Sequence, residues 1–179
     1  MKSNHIGDEM MEELLFKQMH FVRKRTIAAL DATTEKLADE MPGDVKNSIR
    51  WNLGHIFVSQ DTLLYPFIGE EHHVPENYLE LFKMGSSPHH WVEEAPSLQE
   101  IRKYLVDQPR RILADFSGKL EDPIERPFKL GDYELSTLGE LLSFAIWHEG
   151  LHQGTINTIK RTVGTEDLWS KVKEEIQPV

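Results

Sequence analysis

The sequence predicts an all-α protein: a four-helix bundle built as one domain over residues 1–179. Three observations predict it. Four long segments carry apolar residues at helical spacing. The β signal is confined to one short hairpin before the fourth helix. A long polar stretch separates the second and third helices, so that pair is joined by a crossover rather than a tight turn.

The first helix is expected over Asp8–Asp39, with Met11, Leu15, Met19, Val22, Ala29, Thr33 and Leu37 on one stripe. Asp8 suits its N-cap, and Pro42-Gly43 ends the unit. The second is expected over Val45–Ile68, with Ile49, Leu53, Ile56, Phe57, Leu63, Leu64 and Phe67 as its apolar face. Pro66 predicts a kink near its end and Gly69 a C-terminal stop. The crossover from Glu70 to Pro96 holds "EEHH", "GSSPHH" and a short helical stretch, Glu76 to Gly85.

The third helix is expected over Ser97–Lys119, opened by the capping box Ser97/Glu100. Pro109 falls mid-helix and predicts a kink or break. Leu130-Gly131-Asp132-Tyr133 reads as a turn between two extended pieces. A second capping box, Thr137/Glu140, opens the fourth helix, which stops at Gly164. A tail helix is expected over Glu166–Glu175.

Hydrophobic residues make up 39% and charged residues 28% of the chain, a soluble globular balance. The net charge of −10 repels phosphate backbones and anionic membranes, so neither nucleic acid nor membrane is expected as a partner. "RKR", Arg23–Arg25, lies in the amphipathic first helix and reads as a solvated face. Without cysteine, disulfides, zinc ribbons and protein-thiol catalysis are excluded. "MKSNHIGDEM" has no apolar signal-peptide core, so the expected compartment is the cytoplasm.

The fourth helix contains "AIWHEGLHQGTIN", with the H-E-x-x-H pattern of zinc metalloproteases in His148, Glu149 and His152. The two histidines are about 40° apart around the helix and lie on its apolar stripe. Stacked buried imidazoles need hydrogen-bond partners or a metal. The third ligand separates the readings. A protease takes a carboxylate farther on, and Glu174 and Glu175 are available, but little chain remains for a second lobe. A bundle metal site takes a histidine from another helix, and His55 in "IRWNLGHIF" sits mid-helix on a mixed face. His20 can face either way; His72, His73, His89 and His90 read as exposed loop residues, and His5 as terminal.

Two motifs, "WNLGHI" with His55 and "TLGELLSFAIWHEGLHQGTI" with His148 and His152, resemble the DinB-like superfamily. The likeness runs from the first helix to about Gly164 and includes the hairpin insert. It implies an up-down-down-up bundle with a three-histidine metal site on His55, His148 and His152, in a homodimer. It also implies a metalloenzyme, since relatives include transferases and isomerases that use low-molecular-weight thiols; the leading expectation is a transferase with a low-molecular-weight thiol cosubstrate or a hydrolase, acting on a small electrophile. The chain departs from relatives that carry H-x-G-Q, since "HQGT" places Thr155 at the last position and Gln153 beside the ligand.

Three neutral imidazoles leave a divalent ion with an open position, the arrangement of a catalytic site. Zinc and nickel both fit. Such a site can polarise water or ionise a thiol; with no cysteine in the chain, a thiol must arrive as cosubstrate. Glu149 lies about 60° from His152 around the helix and is the candidate catalytic carboxylate; the competing reading is a flank carboxylate paired with a basic residue. Trp51 and Trp147 are candidate cavity walls, and Asn52, one turn from His55, a candidate support. The alternatives are a non-catalytic metal- or ligand-binding stress-response bundle and a zinc metalloprotease acting through HEGLH.

Overall fold

The computed structural model describes residues 3–170. Glu174, Glu175 and the second half of the expected tail helix lie outside the described residues, as does the side chain of His5. The four bundle helices are α1 (Ser3–Asp31), α3 (Ile49–Leu64), α5 (Leu98–Phe116) and α6 (Leu138–Thr162). Two short helices, α2 (Glu35–Ala38) and α4 (Glu76–Phe82), lie in the connections, and the hairpin is β1 (Pro123–Leu130) with β2 (Tyr133–Thr137).

Cross-helix hydrogen bonds fix the directions. Arg23 meets Glu149 and Lys160 meets Ala29, so α1 and α6 run parallel. Tyr65, just past α3, meets Asp115, and Gln108 meets Phe57, so α3 and α5 run parallel. Asn52 meets His152 and Ser59 meets His148, so α3 and α6 are antiparallel. The order is up-down-down-up, and the parallel α3–α5 pair is what requires the long crossover.

The expected first helix is two helices. Thr34 adopts an extended backbone and its side chain accepts from Leu37 N, so it starts α2 rather than continuing α1. Lys160 Nζ donates to the carbonyls of Ala29 and Ala32, satisfying acceptors freed at that break. At the other end, α1 begins at Ser3, so Asp8 lies within the helix rather than capping it. The second helix starts later than expected, because Ser48 caps it through Trp51 N. It ends at Leu64 in a 3-10 turn, Tyr65–Ile68, with Pro66 at its start and Gly69 left-handed at φ 75°.

Pro109 does not break α5. A proline cannot donate to the carbonyl four residues earlier. Here that carbonyl, Leu105 O, accepts from Arg23 Nη1 at 2.8 Å. Both predicted capping boxes form, at Ser97/Glu100 and Thr137/Glu140. Residues 166–170 are irregular rather than helical. They fold back on α1, where Ser170 N bonds Ala28 O and Arg25 lies 4.1 Å over the Trp169 ring.

The apolar core falls into two clusters. One gathers Ile27, Leu53, Phe57, Phe82, Leu105 and Ile156; the other gathers Phe16, Tyr65, Phe116, Leu138 and Leu142. Between them runs a buried polar chain with one member from each bundle helix: Arg23, Gln60, Gln108 and Glu149.

Candidate metal centre

His55, mid-α3, faces His148 and His152 on successive turns of α6. The structure brings the three together: one ligand atom from each lies within 4.8 Å of the other two. His55 is buried, and His148 and His152 are half-buried, so the cluster sits at the edge of the core.

The other nitrogen of each ring has a protein partner. His55 Nδ1 lies 2.6 Å from the carbonyl oxygen of Phe82, which only accepts, so this nitrogen carries the proton. His152 Nδ1 lies 2.7 Å from Asn52 Oδ1. The Asn52 amide is oriented by its own donation, Nδ2 to Ser48 O at 2.8 Å, so Oδ1 is the acceptor for His152. His148 Nδ1 makes a longer contact, 3.4 Å, with Ser59 Oγ, whose hydroxyl proton goes to His55 O. Each Nε2 is left with a bare lone pair, and those of His148 and His152 lie 3.3 Å apart. Unprotonated imidazole nitrogens gathered within 4.8 Å of one another repel, and a cation among them relieves that repulsion. The donor set therefore fits a divalent ion, and the three acceptors are the kind of outer support that orients ligand histidines.

Burial also keeps the rings in the metal-binding form. It pushes His55 down to about 4. Burial pushes His152 down to about 3, with the His55 and His148 rings adding to it. Burial lowers His148 as well, against the opposing pull of Glu149. A neutral imidazole is the ligand form.

Packing explains the local sequence. The Trp51 ring stacks on His55 at 4.4 Å between centroids and 13° between planes. Gly54 lets Phe82 approach α3: a Cβ there would meet the Phe82 ring at 2.5 Å. The residue before the ligand is thus glycine because the group that fixes the ligand is packed against it.

Glu149 faces the other way, toward α1. Its Oε1 accepts from Arg23 Nε at 2.9 Å and from Thr26 Oγ1 at 2.6 Å, and its Oε2 accepts from Arg23 Nη2 at 3.0 Å. Sequence offered this carboxylate for proton transfer; in the structure both its oxygens are engaged by a buried guanidinium and a hydroxyl. Arg23 does correct an expectation, because it is 0% exposed rather than part of a solvated face. The signal was present: Arg23 stands four residues from both Met19 and Ile27, on the core stripe. Phe82 was out of reach of sequence reasoning, since it contributes a backbone carbonyl from 27 residues away.

The remaining candidates are dispersed. Trp51 is buried against the cluster, whereas Trp147 is 57% exposed. His20 sits half-buried on α1. His73 Nδ1 bonds Arg111, and His72 Nδ1 accepts from Val74 N; His89 and His90 are exposed.

Fold and site together define a helical bundle with a three-histidine cluster of metal-binding type. The chain belongs to the DinB superfamily, whose family profile matches residues 18–156 and so spans all three histidines. No curated protein shows significant similarity to it.

Proposed function

We propose that this protein is a metal-dependent enzyme whose ion is held by His55, His148 and His152. The substrate would be a small electrophile, attacked by a low-molecular-weight thiol in a transferase reaction or by water in a hydrolase reaction. One observation carries the reading: every Nδ1 has a protein partner, and one ligand nitrogen from each ring lies within 4.8 Å of the other two. When bound there, zinc or nickel would supply Lewis acidity with its charge undiminished by neutral ligands.

The chain's own residues do the rest. Phe82 O, Asn52 and Ser59 hold the ring tautomers, and Trp51 restricts the His55 plane. The half-exposure of His148 and His152 supports an open site over a closed structural one. A thiol, if used, comes from outside, since the chain has no cysteine. Glu149 is assigned a positioning role: through Arg23 it ties α6 to α1. That assignment weighs against the protease reading, which needs this carboxylate at the reacting water.

The test is elemental analysis of untagged protein, wild type beside His55→Ala. About one equivalent of metal, lost in the variant, is expected. Metal retained in His55→Ala would overturn the three-histidine site. On loaded protein, turnover of a small electrophile with and without added thiol separates transferase from hydrolase.

A further inference from the structure

The hairpin and the first half of α6 enclose a groove of about 630 Å³, lined by Leu130, Tyr133, Leu135, Ser143, Phe144 and Trp147 with Glu140 at its edge. This size lies within the range of small-molecule sites. Its walls are large apolar side chains left open to solvent: Tyr133 is 75% exposed, Trp147 57% and Leu130 46%. Such clustering on a surface marks a place where something binds.

Two features say what binds. The first is charge. The one ionisable acid of the lining, Glu140, already accepts from Ser136 N, Thr137 N and Ser136 Oγ in the capping of α6. All three bonds go to Oε2, which turns this carboxylate toward the helix cap, and the remaining lining residues carry no charge. The second is continuity with the histidines. Phe144 packs on Phe128 and Trp147, at 5.2 and 5.4 Å between centroids. It also lies 6.2 Å from the His148 ring at 29° between planes. One side chain is thus both a wall of the groove and a neighbour of the cluster.

We propose that this groove receives the apolar, aromatic body of a small ligand whose head group reaches the histidine cluster. The head-group half rests on the reading of the cluster as a metal centre; the groove half does not. Trp147 is the specificity-determining residue, because it is large, exposed and next in sequence to His148. Any substrate would then be an aryl or similarly apolar compound carrying a small metal-seeking function.

Two measurements test it. On zinc-loaded protein, calorimetry compares acetohydroxamate, a metal-binding head alone, with 4-phenylbenzohydroxamate, the same head on an aromatic body. The longer compound is expected to bind at least about tenfold more tightly. Trp147→Ala should abolish that increment. Leu151→Ser, exposed on the same helix but outside the groove lining, should keep it. An increment that is absent in wild type, or unchanged in Trp147→Ala, overturns the proposal. If neither hydroxamate binds better to loaded than to metal-free protein, the metal reading fails instead. The groove is then decided alone by 1-anilinonaphthalene fluorescence on metal-free protein: saturable binding lost in Trp147→Ala supports it, and no such loss overturns it. A dimer that dissociates in Trp147→Ala, with no dye bound by wild type, would show that a second copy fills the groove and would also overturn it.

Discussion

Truncating Glu149 to alanine should unfold this protein far more readily than it alters any metal site. The carboxylate accepts three hydrogen bonds, two of them from Arg23, and Arg23 is wholly enclosed. Without Glu149, Arg23 Nε has no acceptor and the guanidinium keeps its charge away from water. Nη1 still reaches Leu105 O, and Nη2 still reaches Gln60 and Gln108, but these are neutral partners. Breaking one side of a buried ion pair costs about 3–5 kcal/mol. At this chain length each kcal/mol moves the melting temperature by about 2–4 °C, so a drop of roughly 6–20 °C is expected. Thermal unfolding of metal-free protein by circular dichroism reads it. The paired replacement Arg23→Met with Glu149→Leu should recover most of the loss. Recovery stays incomplete by about 1–2 kcal/mol, because Leu105 O then has neither Arg23 nor a donor from Pro109. A Glu149→Ala cost below about 1 kcal/mol, the scale of exposed pairs, would refute this account. So would an unchanged melting temperature with loss of metal-dependent turnover, which would return Glu149 to proton transfer.

Asn52→Leu removes the acceptor that orients His152, and metal affinity should fall by about 10–100-fold in a chelator competition; unchanged affinity would show that Asn52 does not set the ring. Gly54→Ala drives a methyl into the Phe82 ring, so stability should drop by about 1–3 kcal/mol and metal binding should weaken, because Phe82 O moves from His55. Acid should act on the metal-free protein with a definite sign. The native values of about 4 for His55 and about 3 for His152 lie below the ordinary 6.5, so the unfolded chain binds more protons between them. This contribution to stability is whole above pH 6.5 and is lost as pH falls toward 4 and 3. Zinc affinity should accordingly hold down to pH 6.5 and fall at lower pH, with His55 and His152 resisting protonation until about 4 and about 3; a decline already under way above 6.5 would show that the rings are not desolvated.

What the sequence made legible was what local chemistry decides. The capping boxes at Ser97 and Thr137, the turn at Gly131 and the stop at Gly164 depend on residues a few positions apart, and each is where the pattern put it. Thr34 and Pro109 are different. Whether the chain breaks at either depends on which distant group serves the freed carbonyls: Lys160 for Ala29 and Ala32, Arg23 for Leu105. A proline in a helix predicts a break only until a side chain from another helix replaces its missing donor. The candidate ligands were legible because histidine is conspicuous on an apolar stripe. Their supports were less so, since a backbone carbonyl such as Phe82 O leaves no mark in composition.

H-E-x-x-H is, for the same physical cause, less specific than its use in metalloproteases suggests. Two histidines four residues apart present two nitrogens to one ion on any helix. The residue after the first histidine is turned about 100° from it, and what lies on that side decides its use. Here α6 is wedged between α3 and α1. The side toward α3 carries His148 and His152; the side toward α1 carries Glu149, Gln153 and Lys160, bonded to Arg23, Val22 and Ala29. Those three polar residues recur at helical spacing and form a second stripe as regular as the histidine one. A polar stripe answered by a buried arginine on a parallel helix makes the glutamate a tie between helices. Where no such arginine faces it, the same glutamate is free to serve a reacting water. The partner across the interface, not the five-letter pattern, separates the two uses.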